Sequence, residues 1–385
     1  MSAASALVDR FGGGGTMVSA RAPGRVNLLG EHTDYNDGFV LPTILGCHVE
    51  VAVRRQAGST VRMLAVDLGE SIEFTLGADL DQQWPGWAPY LAGLTEEMRA
   101  RDLIASGFDL AVCGTVPRGS GLSSSAALEI AAALALERAF GFRLDPLSMV
   151  HLCRDVEHHW AGVRCGIMDQ MACRLGLPSH ALLIDCRDGS HRHLPLRLED
   201  HALVVTDSGV RRKLGDSAYN ERRLECEEGV VALQQHDEAI QSLRDLEPEA
   251  LATLEEHLSP HVADRCRHVV NENARVLAGE VALAVGNLPV FGNLMVASHE
   301  SLRDLFAASH PVVDRLVDTT LEVPGVLGSR LTGAGFGGCT VTLCTSEAVA
   351  PLRKRLEAVF AELDVPGEVM ANTPATAAGI ISEEV

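Results

Sequence analysis

Aromatic side chains are scarce in this chain: Phe, Trp and Tyr supply 4% of 385 residues, so its cores must be built mainly from Ala, Val and Leu. The apolar fraction of 46% still describes a globular protein and excludes disordered and fibrous classes. There is no run of about 18 apolar residues to span a membrane and no apolar signal region at the start. The ten cysteines form no CxxC pair and no regular framework, which suits a reducing cytosol better than a disulfide scaffold or a zinc site. The expected location is cytoplasmic. No repeat at a solenoid period appears. Positive charge is also in deficit, and a formal net charge of −20 repels nucleic acid, acidic lipid and polyphosphates alike. Any phosphate site must therefore be locally electropositive, as backbone amides can make it.

What is present is enough chain for two domains with a cleft between them, the place that small-molecule sites favour. The only low-complexity stretch, Gly12 to Gly15, reads as a flexible lead-in, with folding proper expected from Met17. Strand-like runs follow at Met17 to Ala20, His48 to Arg54, Val61 to Ala65 and Phe108 to Cys113, the last with clear alternation at Phe108, Leu110 and Val112. Ser123 to Ala139 is rich in Ala and Leu on nearly all faces, which predicts a buried helix. Further strands are expected at Ala181 to Ile184 and Ala202 to Thr206. A charged helical stretch runs from Leu214 to Gln241, and a turn signal follows at Gly286 to Pro289. Near the end, Pro324 to Arg330 and Thr340 to Cys344 read as strands around a Gly-rich turn from Gly333 to Gly338. Clustered rather than alternating strands imply an α+β class with antiparallel sheets, divided near residue 200 into segments 1–199 and 200–385.

Three constellations carry chemistry. The first is Gly114 to Ala127, a loop entering a helix with Gly119, Ser120, Gly121, Leu122, Ser123, Ser124 and Ser125 at the join. A helix N-terminus offers unpaired N–H groups and a positive dipole end, and glycines let backbone close on a polyphosphate. A serine-capped helix explains such a loop equally well. No Gly-Lys-Ser/Thr follows, so a Walker A mechanism does not apply. The second is Asp169 in Cys165 to Met171, a carboxylate in apolar surroundings that demands a cationic partner or polar ligand, with Arg25 as the expected partner. A capping or salt-bridged aspartate is the alternative. Glu157 can hold magnesium with Ser125, although its charged run also reads as a solvated helix face, and His158–His159 lack the i, i+4 spacing of a helical metal site. The third packs Arg25, Asn27, Glu31, His32, Asp34, Asn36 and Asp37 between Gly24 and Gly38. Short carboxylates and imidazoles on tight loops suit a polyol, and Val26, Leu28 and Leu29 pull the segment inward.

Together with Leu331 to Cys339, these segments resemble the three ordered motifs of the GHMP kinase superfamily, and Gly24 to Pro42 is very similar to the galactokinase signature within it. The resemblance covers residues 17 to 385. It implies an N-terminal α+β domain and a C-terminal ferredoxin-like α+β domain, with ATP and a small sugar meeting between them. The implied activity is ATP-dependent phosphorylation of D-galactose at its anomeric C1 hydroxyl, the first step of galactose use by the Leloir pathway. By motif position, the resemblance makes Asp169 the catalytic base and Arg25 its charge-stabilising partner. Glu31, His32, Asp34, Gly166 and Tyr219 would contact the sugar, Ser125 and Glu157 would ligate Mg2+, and Trp87 and Tyr90 would lie near adenine. A monomer without nucleic-acid or membrane partners is expected. Two positions depart from the pattern: Ala218 stands where many galactokinases carry glutamate, and Met171 replaces the usual aromatic after Asp169-Gln170. Both departures leave room for a related sugar such as N-acetylgalactosamine, arabinose or a uronic acid. A silent sugar sensor would also use such a cleft, but has no need of the transfer apparatus.

Overall fold

The fold is taken from a computed structural model, which describes residues 1–78, 84–211, 217–370 and 375–384. The chain opens with α1 (Ala3–Phe11), followed by β1 (Met17–Asn27), β2 (Phe39–Val40), β3 (Pro42–Arg55), β4 (Thr60–Ala65) and β5 (Glu70–Thr75). Then come α2 (Ala88–Ala100), β6 (Phe108–Gly114), α3 (Ser124–Phe140), α4 (Pro146–Val156), α5 (Met168–Leu175), β7 (His180–Asp185) and β8 (His191–Pro195). The second half holds β9 (His201–Asp207), α6 (Ser217–Gln234), α7 (Pro248–Leu254), α8 (Pro260–Ala284), α9 (Leu288–Asp304) and α10 (Pro311–Leu321). It ends with β10 (Val326–Thr332), β11 (Cys339–Thr345), α11 (Val349–Leu363), β12 (Glu368–Val369) and β13 (Gly379–Glu384).

These strands form two sheets. The larger runs β13-β1-β3-β6-β4-β5, with β7 tying β2 and β8 to β3, and the smaller runs β10-β11-β9-β12. Among the described residues all pairs are antiparallel except β4 with β6, so the α+β expectation holds with one parallel exception. The last strand, β13, returns to pair with β1, which brings residues near both ends of the chain into one sheet. The expected buried helix is α3, in which every residue from Ala126 to Leu136 is buried against β1 and β3. Small Ala side chains permit that close approach on all faces, and α2, α4 and α5 cover the far side. Among the described residues no helix is long and apolar enough to cross a membrane, and all ten cysteines are unpaired.

Three expectations need correction. Folding does not start at Met17, because α1 precedes it, with Ala6 buried and Ala3 and Leu7 packed with Met17, Ala52 and Ala111. Ser2 caps this helix through a 3.2 Å bond from the Ser5 amide, and the Ala3 amide donates to Glu50 at 2.9 Å. Gly12 adopts φ 82°, turning the chain back so that Arg54 binds the carbonyls of Phe11 and Gly12. The glycine stretch is thus a helix stop rather than a free leader. The charged helix expected from Leu214 to Gln241 is shorter, ending at Gln234, and its residues 214–216 lie outside the described ones. Strands β5, β8 and β13 escaped sequence reading because, as sheet margins, they are largely exposed and carry few apolar residues in alternation.

Candidate active site

Strand β6 delivers the chain into the Gly/Ser loop, where Gly119, Gly121 and Ser123 take left-handed φ values of 67°, 81° and 61°. Alternation of this kind turns successive amides toward a common concavity suited to an anion. Ser123 carries that strain without being glycine, and its buried hydroxyl has no hydrogen-bond partner among the described residues. Gly119, Gly121, Ser123, Ser124 and Ser125 face one cavity of about 760 Å3, within the usual range of about 300–1,000 Å3 for ligand pockets. Ser120 and Leu122 do not face it: Ser120 donates inward to Pro117 O at 2.7 Å, and Leu122 packs in the core. The C-terminal glycine run explains itself at this point. A Cβ on Gly333 would sit 2.6 Å from Gly121 O, and one on Gly338 would sit 2.7 Å from Ser120 O. That run is the floor on which the loop rests.

Arg25 and Asp169 meet as expected. Arg25 Nε and Nη2 donate to Asp169 Oδ1 at 2.8 and 2.5 Å, while Nη1 donates to Gly121 O at 2.6 Å. The guanidinium is buried, and although burial alone would lower its pKa, Asp169 and Glu31 outweigh that and raise it. Asp169, at the start of α5, is 28% exposed and faces the cavity. One arginine therefore links a cavity carboxylate to the backbone of the glycine loop.

The segment between β1 and β2 is buried rather than a surface turn. Glu31 accepts from Asn27 Nδ2 at 2.9 Å and from the Gly333 amide at 2.7 Å, with Arg330 3.6 Å away. Burial pushes the Glu31 carboxyl above its usual range, against the pull of Arg330 and Arg25. His32 sits at φ 63°, donates from Nε2 to Ala334 O at 3.2 Å and accepts at Nδ1 from the Tyr35 hydroxyl at 2.7 Å. Its ring lies 5.5 Å from that of Tyr219. Asp34 opens into the same cavity, and its pKa is raised to about 7 by loss of water and then by the charges of Asp169 and Glu31. Glu31, His32, Asp34, Asp169 and Tyr219 thus converge on one end. Gly166 does not line the cavity: it is buried directly behind Asp34, where any side chain would collide with that carboxylate.

Trp87 donates to Glu70 at 2.8 Å, and Trp87 and Tyr90 both line the cavity wall. Ser125 and Glu157 line the same cavity. Glu157 is buried in a π-turn after α4 and is approached by Gln170 Nε2 at 3.3 Å, so this charged run is no solvated face at that residue. His158 is held by Cys165 O at 2.8 Å. Among the described residues there is no group of three or more His, Cys, Asp or Glu able to hold a metal.

Comparison with known proteins agrees with this arrangement. The GHMP kinases N terminal domain model matches residues 90–177, the galactokinase galactose-binding signature matches 6–55 and the GHMP kinases C terminal model matches 280–362. The galactokinase of Chloroflexus aurantiacus is 45% identical over 345 residues, covering 90% of this chain and 88% of that protein. The galactokinase of Roseiflexus sp. is 44% identical over 343 residues, covering 89% and 87%. The chain belongs to the galactokinase family. Its fold matches Lactococcus lactis galactokinase complexed with galactose at TM-score 0.92 and 32% identity, with 97% of each chain covered. Methanococcus jannaschii mevalonate kinase shares the fold at TM-score 0.67 and 19% identity, over 93% of this chain and 98% of that one.

Several residues of this galactokinase-family site were not legible beforehand. Arg330, fully buried, donates to Asn27 O at 3.0 Å and stands beside Glu31. Its signal was its position just before the third glycine run. Glu129 lies one turn after Ser125 on α3, fully buried, and burial together with the charge of Glu157 holds its carboxyl well above the usual range. An acidic residue inside an Ala-rich helix was the available hint. Arg118 brings a cation to the cavity wall beside the glycine loop. Neither departure from the family pattern reaches the cavity: Met171 is buried with Val40 and Ile184, and Ala218 is not on the wall.

Proposed function

We propose that this chain transfers the γ-phosphoryl group of ATP to the anomeric C1 hydroxyl of D-galactose, giving α-D-galactose 1-phosphate and ADP. The observation that carries this reading is the position of Asp169, bonded to Arg25 while Arg25 also grips Gly121 O of the glycine loop. A hydroxyl resting on Asp169 would sit beside the phosphate entering that loop, and proximity of this kind is most of phosphoryl transfer. Both bonds from Arg25 fall on Oδ1 of Asp169, so the carboxylate retains capacity to accept the C1 proton. Arg25 stabilises charge as the P–O bond to ADP breaks and the bond to the sugar oxygen forms.

Glu31, His32, Asp34 and Tyr219 surround the sugar, with Gly166 leaving room behind Asp34. The loop amides and the unpartnered Ser123 hydroxyl take the phosphates, and Trp87 and Tyr90 flank the base. Ser125 and Glu157, which line the same cavity, would hold Mg2+, an ion that typically uses one or two protein oxygens and completes its shell with water and phosphate. When bound, it would neutralise charge on the β- and γ-phosphates. Asp34, Glu31 and Asp169 crowd the sugar end and Arg25 is already paired, which disfavours a uronate there. We read the chain as a cytoplasmic monomer. ADP release measured across a sugar panel tests the assignment: strong turnover of galactose supports it, and turnover of another sugar with none of galactose overturns it.

A further inference from the structure

The turn from Gly30 to Phe39 carries Glu31, His32 and Asp34, and its own Thr33 and Asn36 side chains tie Gly30 O, Phe39 O and His32 O while leaving the Gly30 and Phe39 amides and Glu31 O to other partners. Helix α8, more than 200 residues later, supplies partners for those three groups. The Gly30 amide donates to Glu272 Oε1 at 2.8 Å, His268 Nε2 donates to Glu31 O at 3.1 Å, and the Phe39 amide donates to Asn273 Oδ1 at 2.8 Å. Residues 268, 272 and 273 share one helical face, and all three are buried. They are held in turn from α9: Ser301 Oγ donates to His268 Nδ1 at 2.8 Å, and Ser298 Oγ donates to Glu272 Oε1 at 2.6 Å. Arg275 Nε donates to Glu272 Oε2 at 2.6 Å. The Phe306 ring lies between His268 and His32, with centroids 4.5 and 4.6 Å away, so the same face steadies a sugar-end imidazole.

We infer that His268, Glu272 and Asn273 are positioning residues, which act through the backbone at Gly30, Glu31 and Phe39 to set the sugar-binding turn. This rests on the galactose reading above only in naming the ligand. An apolar interface would hold α8 here at lower cost, since a buried ionised carboxylate loses much of its hydration. Leu29 and Val276 already pack beside Gly279 and Gly30 in that apolar way. The polar groups add direction: each bonds one main-chain group of the turn. The turn also has little slack, because Gly30 lies at φ 99° and a Cβ there would meet Phe39 O at 2.5 Å. Burial keeps His268 neutral, with its pKa lowered to about 4, so near pH 7 it stays a single, directed donor.

The test compares Glu272→Ala, Glu272→Gln and Ser298→Ala in the full chain. Removing the acceptor for Gly30 should raise the sugar KM about tenfold and leave the ATP KM within about twofold, whereas Gln, which keeps an acceptor, should restore most of the loss. Ser298→Ala gives a smaller shift of the same kind and serves if Glu272→Ala does not fold. Hydrogen exchange of the sugar-free proteins reads the turn without any substrate: amides of residues 28–41 should exchange faster in Glu272→Ala, while the glycine loop is unchanged. Unchanged sugar KM and unchanged exchange in that segment would overturn the inference, as would an equal rise in both KM values with faster exchange throughout. If galactose is not turned over at all but the exchange change stays confined to 28–41, the substrate reading fails and this one stands.

Discussion

Replacing Asp169 by Asn changes one oxygen to an amide and removes one charge, so its consequences can be worked from the site. The lost proton acceptor should lower kcat by about 10²- to 10⁴-fold, the usual contribution of a positioned general base. Arg25 would not be stranded, because Nη1 keeps Gly121 O at 2.6 Å, Glu31 stays nearby, and the Asn carbonyl can still accept one bond. The stability cost is then about 1–3 kcal/mol, that of a weakened charge-assisted bond, rather than the 3–5 kcal/mol of a fully broken buried pair. Thermal melting should fall by a few degrees only. Galactose binding, measured calorimetrically, should stay within about threefold, because Glu31, His32 and Asp34 are untouched. Turnover within tenfold of the parent would refute the role of Asp169. Loss of turnover together with collapse of melting and binding would show instead that the residue is structural.

Other outcomes follow from the same geometry. Asp34 has a raised pKa of about 7, so below that pH it carries a proton that a donating sugar hydroxyl must displace. kcat/KM for galactose should therefore fall as pH drops through about 7, the step should vanish in Asp34→Asn, and it should move to lower pH in Asp169→Asn, where a repelling charge is gone. The same raised pKa means the folded chain binds more protons than the unfolded one between about pH 4 and 7. Its contribution to stability is present at low pH and is lost as pH rises through that window, which melting curves of Asp34→Asn against the parent would show. Gly333→Ala, at φ 82° and with Gly121 O in the way, should raise the ATP KM about tenfold or more and, because the Gly333 amide also donates to Glu31, raise the sugar KM by a smaller factor. Leu7→Ala should cost about 2–5 kcal/mol in melting experiments without changing either KM, because α1 is a buried prop on the sheet.

Much of this molecule could be read from its sequence where chemistry is dense and local. The polar cluster after β1 announced itself through short charged side chains between glycines, and α3 through an unbroken Ala/Leu run. The pairing of Arg25 with Asp169 followed from the cost of leaving a carboxylate alone among apolar neighbours. What stayed hidden depends on contacts between distant segments. The support from His268, Glu272 and Asn273 cannot be seen along α8, where a charged residue at each helical turn looks like any solvated face. Helix α1 was missed because four glycines beside it look like slack, when Gly12 in fact ends a helix whose small apolar face is buried. Marginal strands such as β13 carry no strong alternation, and only their pairing partner reveals them.

The account turns on which sugar oxygen rests against Asp169. A crystal structure with galactose and a non-hydrolysable ATP analogue bound measures this directly. The prediction is a C1 hydroxyl within about 2.6–3.2 Å of Asp169, facing a γ-phosphate seated on the loop from Gly119 to Ser125. Galactose bound with another hydroxyl toward Asp169, or the triphosphate seated away from that loop, would contradict it.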